Sequence, residues 1–128
     1  MALLTDDDIA LLQAPNLAHI GVLNADGTPH VTAVWVDTDG ENILFNTAKG
    51  RVKYNDLARN PAVAVSVVDK NDDFRTLFVQ GTAQLTEDGA DEHIDKLAKK
   101  YLGVDSYPMR NPAETRVIVR IRPTARLK

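Results

Sequence analysis

The residues of this 128-residue chain best suited to chemistry lie in one short run, Thr47-Ala48-Lys49-Gly50-Arg51-Val52-Lys53. The run follows an expected strand and opens an expected helix. Free backbone N–H groups already make the first turn of a helix positive, so acidic side chains are favoured there. Here the turn carries Lys49, Arg51 and Lys53 instead, at a cost of about a few tenths of a kcal/mol per charge. A local rule broken in this way implies that an external anion restores the balance. Free amides, a pliant Gly50 backbone and two or three cations together make a cradle for phosphate. The same residues also suit a solvated basic helix face, and this argument leaves both readings open. The charge distribution sharpens the contrast. Asn46 to Asn60 holds Lys49, Arg51, Lys53 and Arg59 against Asp56, so +4 − 1 = +3; the whole chain is −3, which leaves −6 elsewhere.

Other kinds of chemistry are excluded by what is missing. There is no cysteine, hence no disulfide scaffold, thiolate zinc site, iron–sulfur cluster or cysteine nucleophile. His19, His30 and His93 are far apart and form no metal-ligand pair. His19, in an apolar strand, is expected to be a hydrogen-bonded core residue; His93, among charges on a helix, is expected to be solvated. The two serines, Ser66 and Ser106, stand in no nucleophile elbow, and there is no Walker loop or strand-bound GxGxxG. Asp6, Asp7 and Asp8 open a helix and are read as structural, and Asp69, Asp72 and Asp73 as a turn. With no triad, metal set or carboxylate pair, an enzyme built on this chain would leave its chemistry to a bound cofactor. A phosphate-bearing redox cofactor fits both the cradle and the missing catalytic side chains.

Net negative charge argues against duplex nucleic acid, where phosphate neutralisation dominates affinity. Seven aromatic residues are too few for a base-stacking platform. No apolar run exceeds four residues, as in Ala33–Val36 or Ala62–Val65, so no membrane span is expected. Met1-Ala2-Leu3-Leu4 leads straight into Thr5-Asp6-Asp7-Asp8, unlike a secretory leader, and a cytoplasmic location is expected.

The positioning elements follow from periodicity. Thr5 and Asp8 form a capping box for a short helix that stops before Pro15. Leu17–Asn24 and His30–Asp37 read as strands joined at Asp26-Gly27, a hairpin signal. Asp39-Gly40 turns the chain into a third strand, Ile43–Thr47. Gly50–Arg59 is helical and ends at Asn60-Pro61. Val63–Val68 and Phe74–Thr86 are strands, with Gly81 marking a bulge or close approach. Asp88–Leu102 carries one apolar stripe, with Gly103 as its cap. A loop with two prolines, Val104–Glu114, precedes a last strand, Arg116–Arg122, ended by Pro123. Six strands joined largely by tight turns, with three helices, close most readily as a small antiparallel barrel of the α+β class.

The chain resembles the pyridoxamine-phosphate-oxidase-like split-barrel flavoproteins, in particular short members dependent on the deazaflavin coenzyme F420. The resemblance rests on Ile20-Gly21-Val22-Leu23, Asp26-Gly27-Thr28-Pro29-His30-Val31-Thr32, Leu44-Phe45-Asn46-Thr47, Arg51-Val52-Lys53-Tyr54-Asn55-Asp56-Leu57, Asn60-Pro61 and Val79-Gln80-Gly81-Thr82-Ala83-Gln84-Leu85, in that order. It implies a six-stranded antiparallel split β-barrel that forms a homodimer, with cofactor sites at the interface. It further implies a ring lying against the strand Val31, Thr32, Val34, Trp35 and Val36, and a strand end, Asn46 and Thr47, beside the ribityl chain or ring. Lys53, helped by Arg51, would grip the phosphate, and Lys49 and Gly50 complete the cradle. Thr76 falls where the family places a polar or aromatic contact, partly from the facing subunit. The chain lacks the carboxy-terminal arginine and histidine motif of true pyridoxamine-phosphate oxidases, so that substrate is not expected. Extra cationic charge suits the long anionic tail of F420, while Lys53 and Arg51 would also accept FMN. The expected activity is hydride transfer from reduced F420 to an unsaturated or conjugated small molecule. The rivals are an FMN-dependent oxidoreductase, a non-catalytic carrier or sensor of the cofactor, and an inert dimer with a solvated basic face. His30 is the best-placed titratable candidate for a proton donor. Trp35 suits core or pocket wall equally, and Tyr101 and Met109 are expected to be packing residues. Substrate walls are expected from the loops Asp69–Arg75 and Ser106–Glu114.

Overall fold

Alternating inward and outward side chains organise one sheet of seven antiparallel strands, seen in a computed structural model that describes residues 3–127. Met1 and Ala2, part of the stretch read above for a leader, and Lys128 lie outside the described residues. In chain order the elements are α1 (Asp6–Gln13), β1 (Ala18–Leu23), β2 (Pro29–Val34), β3 (Asp37–Thr38), β4 (Ile43–Ala48), α2 (Val52–Arg59), β5 (Ala62–Asp69), β6 (Asp72–Thr86), α3 (Ala90–Leu102) and β7 (Arg116–Arg126). The strand order is β2-β1-β5-β6-β7-β4-β3. Ala18, Ile20 and Val22 of β1, Val63, Val65 and Val67 of β5, and Leu77 and Val79 of β6 point into one core with Phe45, Val119 and Ile121.

The two outermost strands in that order, β2 and β3, are consecutive in the chain. Only Trp35 and Val36 separate Val34 from Asp37, and three residue steps reach at most about 11 Å. In a flat sheet six gaps of about 4.8 Å would hold those edges roughly 29 Å apart. The sheet is therefore curled until its edges nearly meet, and the Trp35–Val36 link runs across the opening. This corrects the expected strand count of six. The strand read as His30–Asp37 ends at Val34, and its last residue starts a separate short strand, with Asp37 paired to Leu44 on β4.

Gly81 is the position where the sheet demands glycine. The register of β6 against β7 shifts between Gln80 and Gly81, and a Cβ on Gly81 would come within 2.4 Å of the Arg122 carbonyl oxygen. Opposite it stands Pro123, which does not end β7 as expected; a bulge tolerates the missing donor, and the strand runs on to Arg126.

The helices sit against this curled sheet. Thr5 caps α1: its hydroxyl accepts from the Asp8 N–H at 3.1 Å, and the Asp8 carboxylate accepts from the Thr5 N–H at 2.9 Å. Gly103 ends α3 in the left-handed conformation at φ 74°. Tyr101 and Lys100 of α3 tie three segments together. The Tyr101 hydroxyl accepts from the Val36 N–H at 3.0 Å and donates to the Asn16 carbonyl at 2.6 Å. The Lys100 ammonium donates to the carbonyls of Leu12 and Val36. The Trp35–Val36 link is thus fixed to α3 and to the end of α1. Among the described residues no helix is long and apolar enough to cross a membrane.

Candidate functional site

Six segments meet around a cleft of about 310 Å³: Leu17 ahead of β1, the end of β2 with the link that follows it, the end of β4, the start of α2, α3 with the loop that follows it, and the start of β7. That volume lies at the lower end of small-molecule sites. Its apolar wall is Leu17, Ala33, Val34, Ile94, Leu97 and Met109, with the rings of Trp35 and Tyr107. Trp35 stacks on Tyr101 with centroids 5.4 Å apart and planes 10° apart, and meets Tyr107 edge-on at 6.2 Å. Its polar wall is Asn46, Thr47, Arg51, Lys53 and Arg116.

The strand β4 ends at Ala48, and Gly50 turns the chain at φ +88°, a conformation that other residues adopt only with strain. α2 then begins with Arg51 at its N-cap, and no side chain caps its free N–H groups. Arg51 donates to Glu114 at 2.7 and 3.2 Å, and this partner holds the Glu114 carboxyl below its usual range. Lys53 is half-buried and, among the described residues, has no carboxylate within ion-pair distance. Burial, with the Arg51 charge beside it, pushes its ammonium below its usual value. A lysine held in that way is short of negative charge.

Arg116, at the start of β7, is 9% exposed. Its Nε donates to Asn46 Oδ1 at 2.8 Å, and its guanidinium lies over the Tyr107 ring at 5.4 Å. Burial lowers its affinity for the proton. A guanidinium only donates, so the Asn46 oxygen must face Arg116 and the Asn46 Nδ2 must face the other way. That Nδ2 donates to the Ala90 carbonyl at 2.9 Å and meets His93 Nδ1 at 3.2 Å. His93 Nδ1 is consequently the acceptor, and Nε2 carries the hydrogen towards Asp37, 3.7 Å away. At that distance the contact is electrostatic rather than a hydrogen bond. Burial pushes the Asp37 carboxyl up, but His93, the Thr38 N–H and Lys96 outweigh it and hold the group well below the usual carboxylate range. Two polar atoms on residues lining the cleft are buried without a hydrogen-bond partner among the described residues, Thr47 Oγ1 and Arg116 Nη1. Such atoms cost about 1–3 kcal/mol each when left unmatched.

Of the residues expected from sequence, Val34, Trp35, Asn46, Thr47, Arg51 and Lys53 come together in the cleft. Val31 does not: it points to the outer face of the sheet and is 62% exposed. Thr32 points inward from β2, and Val36 is fully buried in the core. Lys49 lies outside the cleft and pairs with Glu87 at 2.6 Å, and Gly50 supplies the turn rather than a wall. Thr76 sits on β6 opposite Val68, away from the cleft. His30 does not line the cleft either.

Two histidine expectations are reversed. His19 is exposed, because β1 turns Ala18 and Ile20 inward and His19 outward. His93 is buried, because α3 presses it against Asn46 and Asp37. Met109 lines the cleft rather than serving only as packing, while Tyr101 packs as expected. The loop after α3 supplies Tyr107 and Met109 to the wall. The segment 69–75 instead forms the β5–β6 hairpin and supplies no part of this cleft. Arg116 escaped the sequence reading, and Tyr107 was covered only as part of the expected wall loop Ser106–Glu114. The available signal was an arginine placed one residue before the apolar alternation of the last strand.

Among curated proteins nothing matches this chain. Among solved structures it is similar to one titled F420 Reductase, with 36% identity over 92% of this chain and 94% of that one and a TM-score of 0.80. The fold also matches a conserved hypothetical protein from Mycobacterium tuberculosis, at 22% identity over 98% of this chain and 84% of that one, with a TM-score of 0.73. It matches General Stress Protein 26 from Bacillus anthracis at 20% identity over 92% of this chain and 87% of that one, with a TM-score of 0.71. The family model described as pyridoxamine 5'-phosphate oxidase matches residues 4–127. Curled sheet, bridged opening and matched sequence agree: this chain belongs to the pyridoxamine 5'-phosphate oxidase-like split-barrel family.

Proposed function

We propose that this chain is an oxidoreductase that uses coenzyme F420 to reduce an unsaturated or conjugated small molecule. The observation that carries the reading is the half-buried, carboxylate-free Lys53 beside Arg51 at an uncapped helix start, in a chain 36% identical to a structure titled F420 Reductase. The residues present fit such a group. An aromatic and aliphatic wall suits a planar ring, the unmatched Thr47 hydroxyl suits a polar edge, and the helix start suits a phosphate. When bound, the cofactor supplies the hydride. Lys53 anchors the phosphate, Arg51 with the more distant Lys49 steers the anionic tail, and Asn46 and Thr47 meet the polar chain or ring edge. Val34 and Trp35 seat the ring, and the apolar wall excludes water from it.

The chain acts as a homodimer in this proposal. The outer face of β2, β1 and β5 exposes Val31 and Ala64 around Gly21, an apolar surface of the kind a second copy covers. Thr76 would then reach a cleft only from the partner.

The test is a pair of fluorescence titrations of the purified chain, one with F420 and one with FMN, followed by oxidation of reduced F420 across enones, quinones and tetrapyrroles. Tighter binding of F420 with turnover is the expected result. Tighter binding of FMN would move the proposal to a flavin oxidoreductase. Binding without turnover across the panel would make the chain a carrier or sensor, and no binding of either cofactor would end the reading.

A further inference from the structure

Arg116 is an expensive residue to have where it stands. A buried guanidinium is stable only when its donors are matched, and each donor left unmatched adds to the desolvation cost. The Nε donor is held by Asn46, whose amide is itself locked by the Ala90 carbonyl and the neutral Nδ1 of His93. Nη1 has no hydrogen-bond partner: the nearest carboxylate oxygen, on Glu114, is 3.7 Å away. Glu114 is instead committed to Arg51 at 2.7 Å. The π face of Tyr107 attracts the guanidinium but supplies no lone pair for a conventional hydrogen bond to Nη1. Asn46, Tyr107 and Glu114 therefore surround this side chain, and of its five N–H donors only the one on Nε is hydrogen-bonded among the described residues, on a residue that lines the cleft.

We propose that Arg116 is a ligand-binding residue that donates to an oxygen of the cofactor, anionic or carbonyl, and that Glu114 competes with that oxygen for the cations of the cleft. This inference deepens the reading of the cleft as a deazaflavin site and rests on it. The oxygen has two sources, the phosphodiester tail or the carbonyl edge of the ring. The position of Arg116 beside the aromatic wall is compatible with either. Glu114 lies between Arg51 and Arg116, and its carboxylate offsets one of the three cleft charges.

Arg116→Gln tests the donor, since it keeps a polar group beside Asn46 but removes the charge and the fork. Dissociation constants are read by fluorescence for F420 and for the tail-less deazaflavin riboside analogue, in wild type and variant. A loss of tenfold or more for F420 is expected. Equal loss for the tail-less analogue assigns the oxygen to the ring; loss confined to F420 assigns it to the tail. Unchanged affinity for both, with wild type binding normally, overturns the proposal. Glu114→Gln is the second arm and does not depend on the first variant folding: it should tighten F420 binding severalfold at low salt, and unchanged or weaker binding contradicts the competition. Failure of wild type to bind any deazaflavin is a failure of the functional reading. In that event the same variants are titrated with FMN and riboflavin, where a tenfold loss in Arg116→Gln still upholds the role of Arg116 and no loss removes it.

Discussion

Two helix starts in this molecule follow opposite rules. α1 opens with Asp6, Asp7 and Asp8, and Thr5 and Asp8 satisfy each other's backbone N–H groups. Asp8 is also paired with Arg126 of the last strand. α2 opens with Arg51 and Lys53, has no side-chain cap and carries no acidic residue in its first turn. The first start is complete within the chain and stabilises the fold. The second is incomplete within the chain, and its deficit is matched by a nearby buried guanidinium with a free donor. In the proposed reading the same backbone feature serves stability in one place and binding in the other, and the side chains around it decide which.

That contrast can be broken from either side. The largest effect is expected at the second start: Lys53→Ala should weaken cofactor binding by about 1.5–3 kcal/mol, the scale of a hydrogen bond to a charged group. The ligand-free chain should lose little stability, because burial and Arg51 disfavour the charged lysine in the folded state. Isothermal or fluorescence titration and a denaturant melt read the two halves separately. A variant that melts early yet binds normally would reverse the assignment.

Thr5→Ala should do the opposite. Loss of a capping hydroxyl costs about 1 kcal/mol of stability, and cofactor affinity should stay within roughly twofold, since the cap is remote from the cleft. A weaker effect follows from pH. Burial pushes the Asp8 carboxyl up, but Arg126 and Thr5 outweigh it and hold it below its usual value. A depressed carboxyl stabilises the fold above its unfolded value near about pH 4, and that contribution fades as pH falls through the folded value. Asp8→Asn should therefore lower stability at neutral pH and flatten its decline between about pH 5 and 2. A decline as steep as in the wild type would remove Asp8 from the account. The smallest effect belongs to Lys49→Gln. With Lys49 already paired to Glu87 on the surface, affinity should change by less than about threefold.

Much of the fold was legible because its signals are local. The Thr5–Asp8 box, the Asp26-Gly27 hairpin, the β-branched alternation of Val63–Val68 and the Gly103 cap each announce an element without reference to the rest. Gly81 was legible as a bulge or close approach because glycine inside a strand often marks one or the other. β3 was not, since two residues carry no period, and only the curl of the sheet brings Asp37 to Leu44. His19 misled because its neighbours Ala18, Ile20 and Val22 are apolar, and only the register of β1 shows that they turn inward while His19 turns outward. His93 misled because charged neighbours on a helix say nothing about the strand it will meet. On the cleft, Arg51 and Lys53 were visible through the rule they break, and Asn46 and Thr47 through the family resemblance. Arg116 was hidden because its significance lies in Asn46, seventy residues earlier and one strand away.

The central claim is that the uncapped, cationic start of α2 holds a negatively charged redox cofactor. The most direct measurement is the binding isotherm of coenzyme F420 to the wild-type chain at two ionic strengths. Saturable binding whose dissociation constant rises with salt is the predicted result, because screening weakens attraction between exposed charges. Absence of saturation, or an affinity indifferent to salt, would contradict it.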